Sequence, residues 1–116
     1  MKYCVEITGM GELALDLLGN DMLIIFNENA PPELAELSIL HTQGELFDNV
    51  APGDTLLICD QVYSVVEVGH EANYTLRELG HCSIKFGTGK EALPGYIVVS
   101  ETDKPEIKTG GTIEIH

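Results

Sequence analysis

The chain has 116 residues, 44% of them hydrophobic, and sets 19 acidic residues against 6 basic ones for a formal charge of −13. A length of this order fits a single domain over 1–116, and the apolar share excludes a disordered chain. The acidic field repels phosphate backbones and anionic lipid, and a chain without Trp offers few bases a stacking surface, so nucleic acid and membrane surfaces are poor partners.

In chain order, MKYCVEITGMGE at the N-terminus has no apolar leader, and YCVEIT (3–8) reads as a first strand. ELALDLL (12–18) has the spacing of a short helix that Gly19-Asn20 can stop. MLIIFN (22–27) is a buried strand, far short of the roughly 20 residues that cross a bilayer, and the NENAPPE turn closes it. LSILHT (37–42) is a strand ending at or just after His41.

The turn APGD (51–54) launches TLLIC (55–59), and Asp60-Gln61 separates it from VYSVVEV (62–68) as in a hairpin. NYTLRELG (73–80) reads as one or two helical turns, with Asn73 as cap and Gly80 as stop. CSIKF (82–86), YIVVS (96–100) and TIEI (112–115) complete the strands, and 101–111 is a polar loop. Seven or eight short strands with scraps of helix indicate an all-β antiparallel barrel or sandwich.

The three cysteines, Cys4, Cys59 and Cys82, are odd in number and widely spaced, without a CxxC pair. That argues against zinc and redox-motif readings and for a reduced, cytoplasmic chain. GTGK at 87–90 lacks the spacing of a phosphate-binding loop, and no nucleophile-elbow or reactive-cysteine pattern is present. No cofactor is indicated.

Histidine is the side chain that ordinarily titrates near neutral pH, which leaves four candidates. His116 is terminal and His70 sits in an acidic loop. His81 follows RELG where a strand begins. His41 stands at a strand end before Thr42, Gln43 and Gly44, and strand ends opening into loops are where sites are built. Gly44 lets backbone N–H groups approach a ligand. The residues alone leave His41 open between a structural histidine and a functional one. The alternative from another class is a small metal- or ligand-binding barrel without covalent chemistry, in which His41, Glu45 and His81 could form a metal site, although their spacing is not diagnostic.

The ordered set ILHTQGEL (39–46), PGDTLLICDQVYSVVEVG (52–69) and LRELGHCSIKF (76–86) resembles the glucitol/sorbitol-specific IIA component of the bacterial phosphoenolpyruvate-dependent sugar phosphotransferase system. MLIIF, the LPG before YIVVS, and GGTIEI fit as well, so the resemblance covers essentially the whole chain. It implies a small antiparallel β-barrel of seven or eight strands with one or two short helices. It also implies a phosphocarrier, with phospho-HPr as donor and the IIB/IIC permease components as acceptor.

The family's phosphorylated histidine maps onto His41, and the LRELGH motif makes His81 the supporting imidazole. Some members carry a second histidine where this chain has Gln43, so a two-histidine relay through that position is absent. For such chemistry the site needs donors and few ionised neighbours. Thr42, Gln43, the backbone around Gly44, and His81 are the expected donors, with Glu45 facing away or orienting a ring nitrogen. An acidic rim and an apolar patch suit docking of a basic carrier, and pairing into homodimers stays open.

Overall fold

A computed structural model describes residues 1–89 and 91–116; Lys90, the last residue of the GTGK run, lies outside the described residues. The alternation read in the sequence becomes eight strands: β1 (Tyr3–Met10), β2 (Met22–Asn27), β3 (Ser38–His41), β4 (Thr55–Ile58), β5 (Gln61–Val68), β6 (Cys82–Phe86), β7 (Tyr96–Val99) and β8 (Thr112–Ile115). They close into a barrel in the order β1-β3-β2-β6-β7-β5-β4-β8, so no sheet edge is left open. One residue in two points inward: Tyr3, Val5 and Ile7 of β1 are buried while Cys4, Glu6 and Thr8 are exposed. Inward side chains from all eight strands, with Leu46, Val50, Ala72 and Leu76, fill the interior as one core.

Three features depart from the expected architecture. The barrel is not wholly antiparallel: β2 runs parallel to β3, and β6 parallel to β7. Parallel neighbours need a crossover. Between β2 and β3 it contains the helix α2 (Pro32–Ala35), which brings the number of short helices to three, with α1 (Ala14–Leu18) and α3 (Ala72–Leu79). Pro31-Pro32 does end the ladder, but Pro32 also starts α2, where the ring's fixed φ suits a first helical position. The hairpin turn also sits one residue earlier than expected, because Ile58 pairs with Gln61 and leaves Cys59-Asp60 as the loop.

At the end of α3, Gly80 takes the left-handed conformation (φ 63°) that the helix stop calls for. Its N–H bonds the Leu76 carbonyl at 3.0 Å, and the His81 N–H reaches the Thr75 carbonyl at 3.1 Å. Asn73 does not cap the helix. Its amide instead accepts from the Val50 N–H (2.7 Å) and donates to the Val50 carbonyl (3.1 Å), tying α3 to the loop after β3. Among the described residues no helix is long and apolar enough to cross a membrane.

Candidate functional site

β3 is short, and its phase places Ile39 and His41 inward. His41 is therefore drawn into the barrel end; it and Ser38, at the opposite end of β3, are the buried polar residues among the described residues. Ile7 of β1 and Asn27 of β2 are its partners in register on either side. Asn27 shares the inward phase of Leu23 and Ile25 but lies at the end of β2, so it is only half-buried.

Both nitrogens of the His41 ring face carbonyl oxygens. Nδ1 is 2.7 Å from the carbonyl of Thr42, the next residue in the chain. Nε2 is 2.8 Å from the carbonyl of Gly80, at the C-terminal end of α3. A neutral imidazole has one N–H and can donate to only one of these acceptors; only the doubly protonated ring serves both. The edge of the ring meets Tyr3 in a T-shaped contact at 6.2 Å.

Gly80 closes this end of the barrel, and its lack of a side chain is what lets it do so. A Cβ there would collide with Asn27 Oδ1 and come within 2.7 Å of His41 Cε1. Two buried side-chain polar atoms have no hydrogen-bond partner among the described residues: Asn27 Oδ1, beside Gly80, and Tyr3 Oη, of the ring that meets His41. Burial first, and Cys82 second, push the Tyr3 hydroxyl far above its usual range, so it stays protonated. Cys82 is itself pushed up to about 12 by burial and is an inert core thiol.

The other expected site residues are distributed as follows. Thr42 extends the β1–β3 pairing, its N–H donating to the Glu6 carbonyl (2.9 Å) and its Oγ1 accepting from the Glu6 N–H (3.0 Å). Its backbone N–H is thus already used. Gln43 and Glu45 are exposed. Gly44 is needed for packing, since a Cβ there would stand 2.5 Å from Val5 Cγ1.

His81 stacks on Phe26 (4.7 Å, 29°), with Nδ1 3.2 Å from the Ile25 carbonyl. The LRELGH motif therefore meets His41 through the backbone carbonyl of Gly80, while the His81 ring lies against β2. No group of three or more His, Cys, Asp or Glu able to hold a metal occurs among the described residues, so His41, Glu45 and His81 do not form one. Sequence reading missed Asn27 and the part played by Gly80; the β2–β3 register brings Asn27 to His41, and the path of α3 brings Gly80.

Two clefts lie elsewhere. One of about 370 Å³ is lined by Cys59, Asp60, Gln61, Lys104, Glu106 and Lys108, and a neighbour of about 450 Å³ by Cys59 and residues of the loop before β8. Neither reaches His41. On the segments framing His41, Phe47, Tyr74 and Leu79 are exposed apolar side chains. Glu45, Asp48, Glu71 and Glu78 are exposed acids on the same segments.

Residues 2–114 match the family described as PTS system glucitol/sorbitol-specific IIA component. The chain is 35% identical over 113 residues to the PTS system glucitol/sorbitol-specific EIIA components of Escherichia coli (strain K12) and of Shigella flexneri. Each match covers 97% of this chain and 92% of the relative. The fold is similar to the crystal structure of a PTS system IIA component from Enterococcus faecalis V583, with a TM-score of 0.86 and 25% identity, covering 96% of this chain and 97% of that one. With family match, relatives and barrel in agreement, the chain belongs to the glucitol/sorbitol-specific IIA components of the PTS.

Proposed function

We propose that the whole chain, 1–116, is a cytoplasmic phosphocarrier that takes a phosphoryl group from phospho-HPr on Nε2 of His41 and passes it to the IIB component. The observation that carries this reading is the setting of His41: the one buried histidine among the described residues, held at a barrel end by two carbonyls. The core is filled with apolar side chains, and two clefts of the surface lie away from the histidine. A substrate presented on another protein's surface suits this arrangement better than a small free ligand does.

The choice of nitrogen follows from the two hydrogen bonds. Thr42 adjoins His41, so the Nδ1–H···O=C bond travels with the ring and can fix the tautomer. The Gly80 carbonyl belongs to a separate element, and withdrawing the end of α3 uncovers Nε2 alone. As the Gly80 carbonyl withdraws, the Nε2 proton that bonded it passes to solvent, and in the transfer the freed Nε2 lone pair attacks phosphorus in line. The P–N bond of the donor phosphohistidine breaks, its electron pair returning to the donor imidazole, and a P–Nε2 bond forms. Thr42 O keeps the Nδ1 proton throughout and offsets the positive charge that develops on the ring.

Docking divides into two tasks. The exposed acids, in a chain of charge −13, attract a basic carrier and raise the encounter rate. Leu79, beside Gly80, and Phe47, farther along the loop after β3, are exposed and supply apolar contact once the partners meet. Incubation with phosphoenolpyruvate, enzyme I and HPr, followed by intact mass, tests the reading. The wild type should gain one phosphoryl group and His41→Ala none; an unmodified wild type or a labelled His41→Ala overturns it.

A further inference from the structure

We infer that the side-chain amide of Asn27 is the hydrogen-bond donor that holds the phosphoryl oxygens on His41, a role that rests on the phosphocarrier reading above. A buried polar atom without a partner costs roughly 1–3 kcal/mol and needs a reason. Here the two such atoms among the described residues both belong to residues grouped about His41: Tyr3, whose ring meets the imidazole, and Asn27, its register partner. Tyr3 is wholly buried in the core, whereas Asn27 is half-buried at the barrel end. Only Asn27 combines an orphan atom with a place at the mouth where a phosphoryl group arrives.

The geometry around Gly80 makes this specific. An added methyl would collide with Asn27 Oδ1 and Cγ and with His41 Cε1 at once, so the Asn27 amide and the His41 ring converge on the same point beside Gly80. Cε1 is bonded to Nε2, so a phosphoryl group on Nε2 places its oxygens beside the Asn27 amide once the Gly80 carbonyl has withdrawn. Those oxygens are acceptors and need donors. The Thr42 N–H is already bonded to Glu6, and the His81 ring is stacked on Phe26. An asparagine amide carries an acceptor at one end and two N–H donors at the other, and a half-turn about χ2 exchanges them. In the closed site Oδ1 occupies the inner position; with phosphate present the NH2 end takes its place. A neutral donor adds no fixed charge, so the phosphoryl group is steadied without being trapped and can be passed on.

The test uses the full chain as wild type, Asn27→Leu, Asn27→Asp and His41→Ala. Each is equilibrated with enzyme I, HPr and limiting phosphoenolpyruvate. The share of label on each variant, its hydrolysis lifetime and its 31P shift are then compared, with thermal midpoints of the unphosphorylated proteins. Leucine keeps the branched shape and removes the orphan atom, so its midpoint should equal or exceed that of the wild type. Its share of label should fall about 10-fold or more, the usual weight of a hydrogen bond to a charged group. Asn27→Asp sets a carboxylate against the phosphoryl oxygens, and its share should fall further.

Wild-type label shares, lifetimes and 31P shifts on both Asn27 variants would overturn the role of Asn27 while leaving the carrier intact. So would a parallel loss of midpoint and label in Asn27→Leu, which marks a purely structural residue. An unlabelled wild type, or label on His41→Ala, overturns the carrier reading and this role with it.

Discussion

Replacing Gly80 by alanine probes both the closure of the barrel end and the placing of His41. The added methyl would lie 2.6 Å from Asn27 Cγ and 2.7 Å from His41 Cε1, and would press on Asn27 Oδ1. Holding an L-residue at this left-handed φ costs on the order of 1–2 kcal/mol. Crowding a packed site adds roughly 1–3 kcal/mol. The stiffer unfolded chain offsets about 0.4–1 kcal/mol. A net loss of about 2–4 kcal/mol lowers the thermal midpoint of a domain this size by roughly 6–20 °C.

The control is Gly53→Ala. That glycine also has a positive φ, of 98°, but an added Cβ would meet nothing within 4 Å. It isolates the backbone cost, and the excess loss in Gly80→Ala measures the collision. Because the methyl pushes on the imidazole itself, acceptance of phosphate from phospho-HPr should also fall, by up to about 100-fold for a displacement near 1 Å. Thermal unfolding and single-turnover transfer read the two effects. Equal stability losses in the two variants, with wild-type transfer in Gly80→Ala, would refute the argument that Gly80 sits against the His41 ring.

Phe47→Ala should leave the stability within about 0.5 kcal/mol of wild type, since the ring is exposed, yet slow transfer by raising the apparent KM for phospho-HPr. Raising salt should slow the same transfer if acidic steering operates, and a salt-independent rate would remove that argument. With a thiol reagent in the native state, Cys4 should react readily and the buried Cys82 only on unfolding. Burial disfavours the charged form of Glu101, but donation from the Ser64 N–H (2.6 Å) and hydroxyl (2.9 Å) outweighs it and holds the carboxyl below its usual range. Ionised Glu101 therefore stabilises the fold above pH 4.5, and the contribution fades as pH falls through the lower folded value. Urea unfolding should show the gap between wild type and Glu101→Gln narrowing in that acid range.

Strands were legible wherever alternation was long or bounded by turn residues: β2, β6 and β8 have the limits that the pattern sets. Helix α2 was not, because Pro31-Pro32 reads equally as a turn and as a helix start. Parallel pairing of β2 with β3 was hidden for a different reason. Alternation fixes which side chains point inward, while strand direction depends on how the segment between Asn27 and Ser38 crosses over. The site divides along the same line. His41 could be singled out as a titratable group at a strand end, but Asn27 reads as a turn former and Gly80 as a helix stop, each with a sufficient local explanation. Their second roles come from register and from the path of α3, which no local pattern contains.

On the proposed phosphocarrier reading, that arrangement also reconciles a strongly acidic chain with an anionic cargo. Long-range attraction of a basic donor needs net negative charge, whereas the transferred group is repelled by carboxylates beside it. Here the acids of the surrounding segments are exposed, and the side chains grouped about the imidazole are neutral: Ile7, Tyr3 and Asn27. The carbonyl of Gly80 is the remaining unfavourable group, at the negative end of the α3 dipole. While it caps Nε2 it repels anionic oxygens and holds a proton over the lone pair. On the phosphocarrier reading proposed above, phosphate enters when the α3 end is displaced, and a partner whose docking face includes Leu79, next to Gly80, is the one placed to displace it. Leu79→Ala should accordingly lower the maximal transfer rate from phospho-HPr as well as its apparent affinity, in contrast to Phe47→Ala. An effect of Leu79→Ala on KM alone would separate docking from opening and refute the coupling.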